Sequence, residues 1–192
     1  MQFNLPTWLT LLRIILIPVM VALFYLPWHL AHLACGVVFG IAGITDWLDG
    51  YLARKMSQTT LFGAFLDPVA DKLMVSVALV LIVQADPNPW LAIAAAVIIG
   101  REITIASLRE WMAEIGQRSK VEVSWIGKWK TTAQIVAIEI LLVSMDVWKE
   151  SLSELGQFLL LVSAILTLWS MFYYMKAALP ALTKHDSKLD RQ

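Results

Sequence analysis

Cysteine is almost absent from this chain: Cys35 stands alone, so no internal disulfide can form. Charge is scarce as well, at 16 % of residues, and its two signs cancel to a formal net charge of zero. Without a basic excess there is no electrostatic case for nucleic acid as a partner. No internal repeat is detectable, which argues against a repeat array. No Ala-x-Ala-like cleavage site follows the first apolar stretch, whose length suits a retained membrane span better than a removable signal.

What the chain has in excess is apolar surface. Hydrophobic residues make up 59 % of its 192 positions, nine of them Trp, and the mean hydropathy is +0.69. That exceeds the apolar share of an ordinary soluble domain. Six stretches are long enough to cross a bilayer: 9–26, 29–52, 61–85, 89–112, 130–147 and 157–179. Ahead of the first, Asn4-Leu5-Pro6-Thr7-Trp8 reads as a cap and the start of a short helix, with Trp8 at the membrane boundary. The expected fold is therefore all-α. It is a polytopic membrane protein of six transmembrane helices with a short amino-terminal interfacial helix, a single domain over residues 1–192. Trp28, Trp90, Trp125 and Trp148 fall near the expected boundaries, as an aromatic belt would.

Orientation follows from Lys and Arg. The turns 27–29 and 84–89 carry none, and the turn after Val147 carries only Lys149 beside Glu150. On the other face lie Arg54, Lys55, Arg101, Arg109, Arg118, Lys120, Lys128 and Lys130, and the tail adds Lys176, Lys184, Lys188 and Arg191. Both termini are expected in the cytoplasm, as for a protein of the bacterial inner membrane.

Within this apolar chain, four of the eight aspartates lie between Thr45 and Leu73, as DxxDGxxAR followed by eight spacer residues and GxxxDxxxD. At about 100° per residue, Asp46, Asp49, Gly50 and Ala53 share an arc of roughly 100° on one helix, and Gly63, Asp67 and Asp71 an arc of roughly 80° on a second. Four carboxylates facing one another do not all stay ionised near neutral pH without cations between them. Hard oxygen ligands at this spacing suit Mg²⁺ or Mn²⁺, which leave coordination positions for substrate phosphate. The small residues leave room for a bulky substrate against the helix backbone. One such aspartate alone would read as an interfacial residue, or, for Asp67 before Pro68, as a helix cap. Four on matched faces with small neighbours read as a site. Pro68 either starts or bends its helix there, and Lys72 reads equally as a partner for phosphate or as half of a simple ion pair.

These eight fixed positions and their spacers resemble the signature of the CDP-alcohol phosphotransferases, membrane enzymes that make phospholipids. The resemblance implies metal binding by Asp46, Asp49, Asp67 and Asp71, with two divalent ions expected and Asp71 in the position of the general base, and it implies a homodimer. It also places Gly50, Ala53, Arg54 and Gly63 beside the nucleotide of the donor. The stretch Asn4-Leu5-Pro6-Thr7-x-Leu9-Thr10-x-x-Arg13 looks like one branch, the phosphatidylglycerophosphate synthases, which makes Asn4, Thr10 and Arg13 further donor contacts. Taken alone, Arg13 would read as a flanking charge that snorkels to the headgroups. Leu66-Asp67-Pro68-Val69-Ala70-Asp71-Lys72-Leu73, Arg101-Glu102 and Gly127-Lys128-x-Lys130-Thr131 also resemble that branch.

Arg101 lies inside an apolar run, where an unpaired charge is expensive. With Arg109, Lys128 and Lys130 it forms the candidate pocket for an acceptor that carries its own phosphate. Arg118 and Lys120, and Arg109 in part, also fit attraction to anionic headgroups. His29 and His32 fit an interfacial location better than a metal site, and Glu139 is left open as protonated, paired or part of a subunit contact.

The resemblance implies transfer of a phosphatidyl group from CDP-diacylglycerol to glycerol 3-phosphate, with release of CMP, among membrane lipids. Inositol phosphate, serine or phosphatidylglycerol as acceptor would keep the chemistry; the last two would not need Arg101, Lys128 and Lys130 together. A small ion transporter is the reading from another class. It calls for carboxylates near the midplane and for inverted repeats, and the sequence shows neither.

Overall fold

The computed structural model describes the backbone of residues 5–56, 61–115, 125–147 and 149–189, and side chains within 7–48, 62–63, 65–115, 131–147 and 150–176. Among these residues the chain is all helix, with no strand. The elements are α1 (Leu5–Phe24), α2 (Ala31–Met56), α3 (Leu61–Ala85), α4 (Pro89–Glu114), α5 (Trp125–Ser144) and α6 (Lys149–Leu189). The short amino-terminal helix expected from the sequence is, from Leu5 on, the first turn of α1. Pro6 is tolerated there because first-turn N–H groups have no intrahelical partner, and no breaker follows before Pro18.

Four helices contain stretches long and apolar enough to cross a membrane: Thr7–Phe24, Ala31–Leu48, Pro89–Glu114 and Glu150–Lys176. In α5 the apolar stretch Thr131–Ser144 is shorter, and α3 carries Asp67, Asp71 and Lys72 in its first half. Large apolar side chains such as Ile15, Val37, Phe65, Val80, Ile93 and Ile165 are exposed, so the outer surface suits hydrocarbon rather than water. At about 1.5 Å per residue, the 41 residues of α6 extend about 62 Å, well beyond the 157–179 expected and beyond a hydrocarbon layer of about 30 Å.

Each inward face follows helical spacing. Thr7, Thr10, Arg13, Met20 and Phe24 form the buried stripe of α1, and Ala31, Cys35, Phe39 and Ala42 that of α2. Ala70, Met74, Ala78 and Ile82 do the same on α3. One main core joins α1 to α6, and a smaller cluster of Ile105, Met112 and Tyr174 ties the far part of α4 to α6. Close packing is enforced at Gly156, where a Cβ would meet Leu141 Cγ at 2.8 Å and Ile140 Cγ2 at 3.1 Å. Gly36 and Gly40 make room for Glu139: a Cβ at either position would stand 3.4 or 3.6 Å from its Oε1.

Polar contacts close one end of the bundle. His32 Nδ1–H donates to Asp146 Oδ1 at 2.7 Å, and Leu33 N–H donates to Asp146 Oδ2 at 2.9 Å. Burial works to raise the Asp146 carboxyl, but the bonds from His32 and Leu33 outweigh it and hold the group below its ordinary value. Asn88 caps α4 by accepting from Trp90 N–H at 3.0 Å, with Pro89 in the first turn. Gln157 Nε2 donates to Asp86 Oδ2 at 3.1 Å, linking this cap region to α6.

Candidate active site

At the opposite end the inward stripes of α2 and α3 continue as carboxylates. Asp46 lies one helical turn beyond Ala42, and Asp67 and Asp71 precede Met74 on the face that holds Ala70. The geometry that buries apolar groups along these helices therefore brings their aspartates together. One carboxylate oxygen from each of Asp46, Asp67 and Asp71 lies within 4.8 Å of the others. α3 starts at Leu61, so Pro68 is an interior residue and Asp67 is no helix cap. The ring removes one backbone donor within the turn that carries both aspartates.

Arg13 lies among these carboxylates. Its Nη1 donates to Asp46 Oδ1 at 2.8 Å and to Asp71 Oδ1, and its Nη2 donates to Asp67 Oδ1 at 2.6 Å. The Arg13 side chain is 1 % exposed, whereas those of Asp46, Asp67 and Asp71 are 44 %, 43 % and 44 % exposed. The cation is thus the floor of the site and the carboxylates are its open face. A cavity of about 110 Å³ adjoins them, walled by Phe39, Ala42 and Gly43 of α2, Met74 and Val75 of α3, and Thr131, Gln134 and Ile135 of α5. Gln134, a buried polar residue one turn after Thr131, was not singled out from the sequence. Its signal was a polar side chain at i+3 from the Gly-Lys-x-Lys-Thr motif inside an apolar run.

The donor set fits a hard divalent cation. Three carboxylates offer acceptor oxygens only, and they converge from two helices. Thr10 is buried on the Arg13 stripe, and Gly63 lies on α3 one turn before Asp67. Gly50, Ala53 and Arg54 belong to α2, but their side-chain surroundings lie outside the described residues, as do those of Asn4, Asp49, Lys128 and Lys130. Lys72 makes no ion pair with another of the described residues.

Arg101 is brought to a different neighbourhood from the aspartates. It is buried between α4 and α6, where Nη1 donates to Glu102 Oε1 at 2.7 Å and Nη2 to Ser170 Oγ at 3.1 Å. Arg101 and Arg109 each stand 5.8 Å from the centre of the Tyr174 ring. A larger cavity of about 510 Å³ lies at the closed end, near His32 and Asp86. Of its lining residues, Asp86 accepts from Gln157 Nε2 and His32 donates to Asp146.

Comparison with known proteins agrees with this arrangement. The profile of the CDP-alcohol phosphatidyltransferase family matches residues 3–169. A Sodalis glossinidius protein is 55 % identical over 185 residues, covering 96 % of this chain and all of that protein. A Yersinia enterocolitica protein is 56 % identical over 180 residues, covering 93 % of this chain and 96 % of its own length. Both carry the name CDP-diacylglycerol–glycerol-3-phosphate 3-phosphatidyltransferase. With most of its length matched and three of the four signature aspartates gathered in one cluster, the chain belongs to the CDP-alcohol phosphatidyltransferase family.

Proposed function

We propose that this protein transfers the phosphatidyl group of CDP-diacylglycerol to sn-glycerol 3-phosphate, forming phosphatidylglycerophosphate and CMP. The observation that carries the reading is the convergence of Asp46, Asp67 and Asp71 on one another, with Asp46 and Asp71 lining the adjoining cavity. The names of relatives at 55–56 % identity support the substrate pair. In the reaction the acceptor hydroxyl oxygen forms a bond to the phosphatidyl phosphorus, and the bond from that phosphorus to the CMP oxygen breaks. The hydroxyl proton goes to Asp71, the residue we assign as general base.

Asp46, Asp49, Asp67 and Asp71 would hold two Mg²⁺ or Mn²⁺ ions. Bound there, divalent ions supply neutralisation of the diphosphate oxygens. Asn4, Thr10, Arg13, Gly50, Ala53, Arg54 and Gly63 are assigned to the nucleotide end of the donor. Arg101, Arg109, Lys128 and Lys130 are assigned to the acceptor phosphate. Arg101 takes that role by exchanging its bonds to Glu102 and Ser170 for the phosphate, which makes it the least direct of the four.

We further assign residues 1–192 to one membrane domain crossed by all six helices, with both termini and the aspartates cytoplasmic in a bacterial inner membrane. The lysine and arginine asymmetry supports this orientation. Assembly as a homodimer is the arrangement that the family resemblance implies. The deciding experiment incubates detergent-purified protein with CDP-diacylglycerol, Mg²⁺ or Mn²⁺, and a panel of acceptors. CMP release is expected with glycerol 3-phosphate. Preference for inositol phosphate, serine or phosphatidylglycerol would reassign the acceptor, and no turnover of the donor at all would overturn the reading.

A further inference from the structure

Arg13 has a feature that contact with a donor nucleotide does not explain. Its terminal nitrogens already engage Asp46, Asp67 and Asp71, the carboxylates that converge for a cation. A guanidinium carries a permanent charge and cannot leave by losing its proton. An ion bound at about 2.0–2.1 Å from the same carboxylate oxygens would stand against nitrogens that now lie 2.6 and 2.8 Å from two of them. Two cations then compete for one set of oxygens. Arg13 is also 1 % exposed, at the floor of the site rather than beside it.

We propose that Arg13 is the resident counter-ion of the metal-free site, and that it gives up the aspartates when divalent ions enter and turns to the donor diphosphate. This rests on the metal-ligand assignment made above. Without an ion, three carboxylates within 4.8 Å repel one another, and the planar fork of Arg13 ties α1, α2 and α3 together through them. With ions bound, the freed guanidinium is a positioning group for phosphate oxygens, a pair of which its fork can meet as it meets a carboxylate. Its two states make metal entry and donor binding sequential and favourable to each other: the ion releases the group that the donor then receives.

The test measures Mn²⁺ binding to the full-length, detergent-solubilised protein without substrate, read from the electron paramagnetic resonance signal of free Mn²⁺. Competition predicts that Arg13→Gln binds Mn²⁺ about tenfold tighter than the natural protein, a change equivalent to losing one charge-assisted contact. Arg13→Lys, a point charge that spans fewer carboxylates, falls between. Unchanged or weaker binding in Arg13→Gln would show Arg13 to be a fixed support of the ligands and overturn the proposal. Asp67→Asn serves as the control for the assignment underneath: if it lowers Mn²⁺ affinity while Arg13→Gln does not raise it, the metal site stands and the counter-ion role falls. No Mn²⁺ binding by the natural protein would overturn both.

A second measurement needs no variant. Phenylglyoxal modifies accessible arginine, and Arg13 should be protected without metal, labelled in Mn²⁺, and protected again when CDP-diacylglycerol is added without acceptor. Labelling indifferent to Mn²⁺ refutes the release, and labelling unaffected by the donor refutes the turn to the diphosphate.

Discussion

The two ends of the helix bundle treat their carboxylates in opposite ways. At the closed end Asp146 receives hydrogen bonds from His32 and Leu33 N–H, and Asp86 receives one from Gln157. At the open end Asp46, Asp67 and Asp71 all meet the Arg13 guanidinium and stay nearly half exposed. One end matches each acid to its own donors, which ties turns to helices. The other gathers three acids around Arg13 and leaves them open, where something from outside can reach them. Burial of an acid is thus a poor guide to its role here, and the balance of partners is a better one.

The sharpest way to break this contrast is to remove one charge from each end. Asp71→Asn should lower kcat by about 10²–10⁴-fold, with donor protection by CMP largely retained, because the group that takes the hydroxyl proton is lost. Asp146→Asn should leave kcat and both KM values unchanged. Near-normal turnover in Asp71→Asn would place the base elsewhere. A smaller effect sharpens the open end itself. Lys130→Gln should raise the KM for glycerol 3-phosphate about tenfold to a hundredfold while the donor KM moves little, the loss of one charged hydrogen bond. Arg101→Gln should do the same if its phosphate role holds. Lowered thermal stability with an unchanged acceptor KM would instead make it a strut between α4 and α6, as its bonds to Glu102 and Ser170 would allow.

At the closed end, Gly156→Ala should destabilise by about 1–3 kcal/mol, because the added methyl has no space against Leu141 and Ile140. Gly100→Ala, where nothing lies within 4 Å, is the matched control and should be neutral or slightly stabilising in thermal melts. The smallest effect is one of acidity. Asp146 is held below its ordinary value of 3.8, so its contribution to stability is fully present above that pH and is lost as the pH falls through the lowered value. Melting temperatures of the natural protein and Asp146→Asn should therefore converge only in strong acid, and an equal gap at every pH would remove the charge from the explanation.

Much of the open end was legible in the sequence because one periodicity governs both burial and chemistry. The arcs that place Asp46 on α2 and Asp67 and Asp71 on α3 follow from 3.6 residues per turn, and the structure brings those three together. The partner of those aspartates was not legible. Arg13 is 33 residues from Asp46 and 58 from Asp71, and no local spacing links it to either. For the same reason the pairing of His32 with Asp146, 114 residues apart, was hidden. Arg101 was legible as a charge in need of a partner. That the partners would be Glu102 and Ser170 depended on how α4 and α6 pack, which hydrophobic pattern does not specify. The extent of α6 was misjudged because a helix can continue past the apolar stretch that anchors it.

The position of Arg13 also has a consequence for biosynthesis. Chains emerge from the ribosome amino terminus first, so α1 is made before α2 and α3 exist. Its guanidinium must wait at the headgroup level, where a long cationic side chain can reach water. Asp46 arrives with the next helix and Asp67 and Asp71 with the one after, and only then does Arg13 have the three acceptors seen in the finished protein. The contacts of Arg13 with the three aspartates are therefore completed only when a third helix docks, late relative to the insertion of the first, and a nascent chain arrested before α3 carries an arginine still anchored at the membrane surface.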